Sequence, residues 1–263
     1  MVGRRIVNNM LNNILDNSYF QNVVSEFIAL VILLILGWSV HKFTHRSQLL
    51  RFFRVADSKR VVVYLSNLSI PKGGAIDIDG IPRSFQESAV PAYETRLPAL
   101  FQRLFNFIVP GADSLPGFLK SILVSDVSVE ILVSPLSENE VERDVTLITF
   151  GGPGYNIVSR RIEQTFHSFG KFTPDGGSIV LQQMSPLNDP RCAFVQRVID
   201  QTTGQQGFYV AGISSLATTG AAYFLATQWR FLAKKYSNDR PFCVMLRVAS
   251  ADARQYEILF EKG

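Results

Sequence analysis

The chain has 263 residues, 47% of them hydrophobic and 18% charged, with a formal net charge of +4. That length and apolar content suit one folded domain of about two hundred residues plus a further segment, and they exclude a largely disordered chain. The charge is local, because residues 1–26 are neutral, residues 41–60 sum to +5 and residues 61–263 to −1, which excludes a basic nucleic-acid groove on the domain.

In residues 1–22, Ile6, Val7, Met10, Leu11, Ile14 and Leu15 recur at helical spacing, with Asn8, Asn9, Asn12 and Asn13 between them. The pattern predicts an amphipathic helix with an uncharged polar face, suited to lying on a membrane or pairing with copies of itself. Residues 23–42 follow as a predicted transmembrane helix. Its stretch 27–40 holds no charge, Trp38 lies near one end, and Tyr19 and Phe20 lie near the other, as interfacial aromatics do. A buried core helix is the competing reading of so short an uninterrupted run. A cleaved signal peptide is disfavoured, because no small-residue cleavage site follows.

Lys42, Arg46, Arg51, Arg54, Lys59 and Arg60 come directly after the apolar run, and residues 43–60 form a basic juxtamembrane connector. The excess of basic residues on this side places it in the cytoplasm of a cell whose inner (plasma) membrane the chain crosses once. Leu49, Leu50, Phe52 and Phe53 suggest that the helix continues to the domain edge.

Residues 61–263 read as the cytoplasmic domain. Strands are predicted at 60–66, 127–133, 144–150, 207–211, 242–248 and 256–260, with helical segments at 84–107 (interrupted at Pro91 and Pro98), 157–169 and 221–236. Strands alternating with helices predict an α/β fold, a Rossmann-like domain with a mainly parallel sheet covered on both faces. The two cysteines, Cys192 and Cys243, show no CxxC spacing, as expected of buried thiols in a reducing compartment.

Two strand–glycine–helix junctions carry the candidate ligand site. In residues 151–156 (GGPGYN), Gly151, Gly152 and Gly154 let backbone approach a ligand, Asn156 caps a helix or reads a base or sugar, and Arg160 and Arg161 follow one turn later. In residues 212–220 (GISSLATTG), Ser214, Ser215, Thr218 and Thr219 precede Gly220, a hydroxyl-rich composition suited to phosphate or ribose. A glycine loop opening a helix offers free amides and the positive end of a dipole. Ser66 and Asn67, with Lys72, Gly73 and Gly74 beyond them, belong to the loop after the first strand and reach the same edge of the sheet. Neither junction matches GxGxxG or GxxxxGK[ST], so a tight connection without a ligand is the alternative for each.

Catalytic sets are scarce: no GxSxG, HExxH or kinase signature occurs. Glu87 and Glu94, seven apart, are a conceivable acid/base pair weakened by Pro91 between them. His41 and His45 on the juxtamembrane helix, Asp77 and Asp79 in a turn, and the lone His167 point to no metal centre, and no metal or catalytic residue is assigned.

At the two junctions, TFGGPGYN and AGISSLATTGAA, the chain resembles Rossmann-like sensor domains of the SLOG and CARF kind. Such domains occur in bacterial antiphage systems, often fused to transmembrane segments, and bind nucleotide-derived messengers. The GGPGYN loop departs from the GGxGT pattern of lysine-decarboxylase-like SLOG enzymes. The resemblance implies a membrane effector gated by a nucleotide-type ligand, with membrane lipids, that small molecule and further copies of the chain as partners. A membrane-tethered nucleotide-processing hydrolase using Glu87 or Glu94, and a membrane-anchored protein-interaction module, are the alternatives.

Overall fold

The computed structural model describes residues 18–55, 60–68, 94–105, 127–143, 145–182, 185–236, 240–250 and 252–263. Residues 1–17 of the expected amphipathic segment, residues 69–93 with Lys72, Gly73, Gly74, Asp77, Asp79, Glu87 and Pro91, and residues 106–126 lie outside them. The chain divides into two compact units, residues 1–47 and residues 48–263.

The first unit contains most of helix α1 (Ser18–Phe52, 35 residues). From Val24 onward the helix is long and apolar enough to cross a membrane, and none of that apolar window is buried. Phe27, Leu33, Leu34 and Val40 are each about two-thirds exposed. A helix apolar on every side, with none of the described residues burying that window, is the surface of a membrane span, a partner interface or a signal sequence.

The second unit is mixed α/β. Its strands are β1 (Arg60–Leu65), β2 (Ser128–Val133), β3 (Thr146–Phe150), β4 (Gly170–Phe172), β5 (Ile179–Leu181), β6 (Cys192–Ile199), β7 (Gln206–Gly212), β8 (Phe242–Val248) and β9 (Tyr256–Lys262). Its helices are α2 (Leu97–Phe105), α3 (Ile157–Thr165) and α4 (Ser215–Lys235). Seven strands form one sheet in the order β2-β1-β3-β7-β6-β8-β9, and β4 and β5 form a separate antiparallel pair.

The sheet is only half parallel. β2, β1, β3 and β7 run parallel, as expected. β6 pairs antiparallel with β7 and β8, and β9 antiparallel with β8, which corrects the mainly parallel expectation. The cause is β6, a strand absent from the sequence reading. Every residue from Cys192 to Val198 is buried, including Gln196 and Arg197, so no alternation of polar and apolar residues marks it.

Its polar side chains hydrogen-bond to groups distant in the chain. Gln196 Oε1 accepts from the Phe169 and Gly170 amides, and its Nε2 donates to Gly170 O. Arg197 Nε donates to Arg240 O, and its guanidinium lies over the rings of Phe52 and Phe242.

Period two along the strands divides the core. Val61, Val63, Leu65, Ile148, Phe150, Phe208 and Val210 face α2 and α4. Val62, Tyr64, Leu147 and Tyr209 face α3 and the β4–β5 pair. Pro98 sits at the second position of α2, within the first turn, where its missing amide costs no hydrogen bond. The last turn of α1 belongs to this core: Leu49, Phe52 and Phe53 are fully buried. Thr146 at the start of β3 donates to Phe53 O, and Gln206 at the start of β7 to Phe52 O. The chain therefore enters this unit at the amino ends of the parallel strands.

Candidate functional site

β1 leads to β2 on one side and β3 lies on the other, so the strand order reverses between β1 and β3. At such a switch point the loops leaving adjacent strands diverge and open a crevice beyond their carboxyl ends. A cleft of about 570 Å³ occupies that place. Its wall comprises Ser66 and Leu68 after β1, Gly151, Gly152 and Tyr155 after β3, Gly212 and Ile213 at the end of β7, and Ser214, Ser215 and Thr218 opening α4. Phe172 of β4, Gly177, Pro190 and Glu94 complete it.

Glu94 is the chemical centre of this cleft, although it is 1% exposed. It stands in a single 3₁₀ turn before α2. Its Oε2 accepts from the Ser66 amide at 2.9 Å and its Oε1 from the Ser66 hydroxyl at 2.9 Å. Burial pushes its pKa above the ordinary carboxylate value, and the Ser66 donors only partly offset this. No cationic side chain enters its electrostatics among the described residues. Ser66 Oγ also lies 3.2 Å from Phe150 O, so a protonated Glu94 can donate to Ser66 Oγ while Ser66 donates onward to that carbonyl.

Gly151 makes this arrangement possible. Its φ of +87° is left-handed, and a Cβ there would lie 2.0 Å from Ser66 Oγ. Gly152 is also closely approached, since a Cβ would meet the Phe172 ring at 3.3 Å.

The helix after the first glycine loop is closed to an anion. Asn156 is fully buried and caps α3, with Oδ1 accepting from the Val158 and Ser159 amides. Its Nδ2 donates to Phe150 O, and the Ile157 amide donates to Ser134 Oγ. The first three amides of α3 are thus occupied by protein acceptors, and Asn156 has no group left to read a base or sugar. Arg160 folds back to donate to Pro153 O.

The second junction is different. The expected hydroxyl loop ends early, because α4 begins at Ser215 and carries Thr218, Thr219 and Gly220 inside its first turns. Ser214 is the cap: its Oγ accepts from the Ala217 amide and donates to Pro190 O. Thr218 Oγ1 accepts from the Gly212 amide and donates to Ser214 O. The amides of Ser215 and Leu216 have no intrahelical acceptor by helix geometry, and no side chain among the described residues accepts from them.

Of the candidate residues, Ser66, Gly151, Gly152, Ser214, Ser215 and Thr218 therefore meet in one cleft. Gly154, Asn156, Arg160, Asn67, Thr219 and Gly220 do not line it. Asn67 Nδ2 donates to Ser134 O, and Thr219 donates to Ser215 O. Gly220 is a packing glycine: a Cβ would lie 2.6 Å from both Val248 methyls. Phe172 and Tyr155 were not legible as site residues, because nothing in their local sequence separates them from core aromatics.

No protein-family model matches the chain, and neither a curated protein nor a solved structure is detectably similar to it.

Proposed function

We propose that the chain is a single-pass membrane sensor and effector, whose Rossmann-like cytoplasmic domain binds a nucleotide-derived ligand and passes that event to the membrane, in the manner of antiphage effectors. The observation that carries this reading is the cleft at the strand-order reversal, walled by glycine backbone, serine and threonine hydroxyls, two aromatic rings and the opening of α4. Rings stack on a base, and the Ser215 and Leu216 amides with the α4 dipole suit a phosphate. The same chain carries an uncovered apolar helix. The buried last turn of that helix touches the amino ends of β3 and β7, the strands whose other ends form the cleft. β3 and β7 thus connect the cleft to Phe52 and Phe53 at the other end of the sheet. One helix cannot line a pore alone, so the output form is a homo-oligomer.

The deciding experiment reconstitutes the full chain in dye-loaded vesicles. Cyclic and linear nucleotides and NAD are added while binding, turnover and leakage are followed. Binding with leakage and without turnover is the expected result. Absence of binding across the panel would reject the sensor in favour of a protein-interaction module.

A second reading, a membrane-tethered nucleotide hydrolase, is favoured by one observation: a desolvated carboxyl, Glu94, lines the cleft. Product formation abolished by Glu94→Gln would select it.

A further inference from the structure

The interior of the cleft is not suited to the part of a nucleotide that usually dominates its recognition. The described wall contains no lysine, arginine or histidine. It contains instead a carboxyl that is 1% exposed and hydrogen-bonded through one residue, Ser66, whose amide and hydroxyl each lie 2.9 Å away. A phosphate placed there would meet a buried carboxyl group and no cation among the described wall residues, in a water-poor setting, which is unfavourable. A carboxylate accepts about four hydrogen bonds, and here two lone-pair sites are unused by Ser66. A neutral group offering two adjacent hydroxyl donors would satisfy those sites.

Gly151 maintains the geometry. With φ +87° it turns the chain past Ser66, and any Cβ would occupy the position of Ser66 Oγ. The neighbouring Gly152 admits the Phe172 ring, an apolar surface beside the donors.

We infer that the Ser66–Glu94 corner over Gly151 is a subsite for the vicinal diol of a ribose, which orients the ligand with its sugar at the β1–β3 switch point and its phosphate toward α4. This rests on the nucleotide reading above and adds a demand that reading does not make: the ligand must be a ribonucleotide and not its deoxy counterpart.

The test measures binding of ATP, GTP, CTP, UTP, NAD and the cyclic mono- and dinucleotides, with the 2′-deoxy and 3′-deoxy forms of the triphosphates, to the full chain in detergent micelles. At least one ribonucleotide should bind, and its deoxy forms should bind roughly 10- to 100-fold more weakly, the usual cost of a lost hydrogen bond to a charged group. Glu94→Gln, which keeps an acceptor for the Ser66 amide, should weaken the ribonucleotide by a similar factor and shrink the ribo/deoxy gap. Ser66→Ala should shrink it as well, and thermal melting of each variant reports folding separately. Equal affinity for ribo and deoxy forms, or a gap unchanged in folded Glu94→Gln, overturns the diol subsite and leaves the nucleotide reading standing. No binding by any of these ligands overturns both.

Discussion

Gly151 and Ser66 approach so closely that a methyl group on Gly151 would sit 2.0 Å from the Ser66 hydroxyl oxygen. Two strands that are neighbours only through tertiary pairing thus meet at a point where one must end in glycine. Gly151→Ala is expected to cost about 2–4 kcal/mol, the sum of a left-handed backbone penalty and overpacking. Thermal melting should show a drop of roughly 4–16 °C, using the usual slope for a domain of this size. An unchanged melting temperature would disprove the close approach.

Asn156 is expected to be structural. Asn156→Ala removes the acceptor for two helix amides and the donor to Phe150 O. A loss of about 2–4 kcal/mol should result in denaturant titration. Ligand affinity of the folded fraction should change little, because the side chain lies behind the cleft wall; a selective loss of affinity at unchanged stability would contradict this placement.

The boundary of the independently folding unit should fall at residue 47 and not after the aromatic pair. Removing residues 1–47 leaves the second unit whole. Removing residues 1–55 also deletes Leu49, Phe52 and Phe53, all fully buried, and Val55, 1% exposed. Losing each buried phenylalanine costs about 3–5 kcal/mol, and the total approaches the whole stability of about 5–15 kcal/mol of a typical domain. The first truncation should elute as a folded species in size-exclusion chromatography with intact near-ultraviolet circular dichroism, and the second should aggregate.

Stability should depend on pH through Glu94 with a definite sign. Its folded pKa is raised, so just above the ordinary glutamate value the folded state holds more protons than the unfolded one. Its contribution therefore falls as pH rises through that window and stays constant above the folded pKa. Glu94→Gln should gain on the wild type across that rise in paired denaturation curves; a constant or reversed difference would contradict burial as the cause. Asp189 acts in the opposite sense, held at about 2 by hydrogen bonds from Arg191, and its contribution is lost as pH falls from the ordinary aspartate value toward 2. The Glu94→Gln comparison cancels that effect.

The sequence by itself determined what is written in short-range pattern. The apolar run with its basic flank, the β-branched strands at 60–66 and 144–150, and the glycine junctions at 151–156 and 212–220 all follow from neighbouring residues. Period two on a strand and the punctuation of a helix start need no distant partner.

Tertiary structure alone decided the rest. Gln196 and Arg197 become strand residues only because the Phe169–Gly170 backbone and the Arg240 carbonyl accept or donate to them. The amides of α3 are closed by Ser134 from another strand's end as well as by Asn156, so a loop that looks ready for an anion is already filled. Glu94, 28 residues from Ser66 in the chain, becomes the centre of the cleft because the sheet order places β1 beside β3. Burial, hydrogen-bond satisfaction and strand order are long-range quantities, and no local window of sequence contains the partner that sets them.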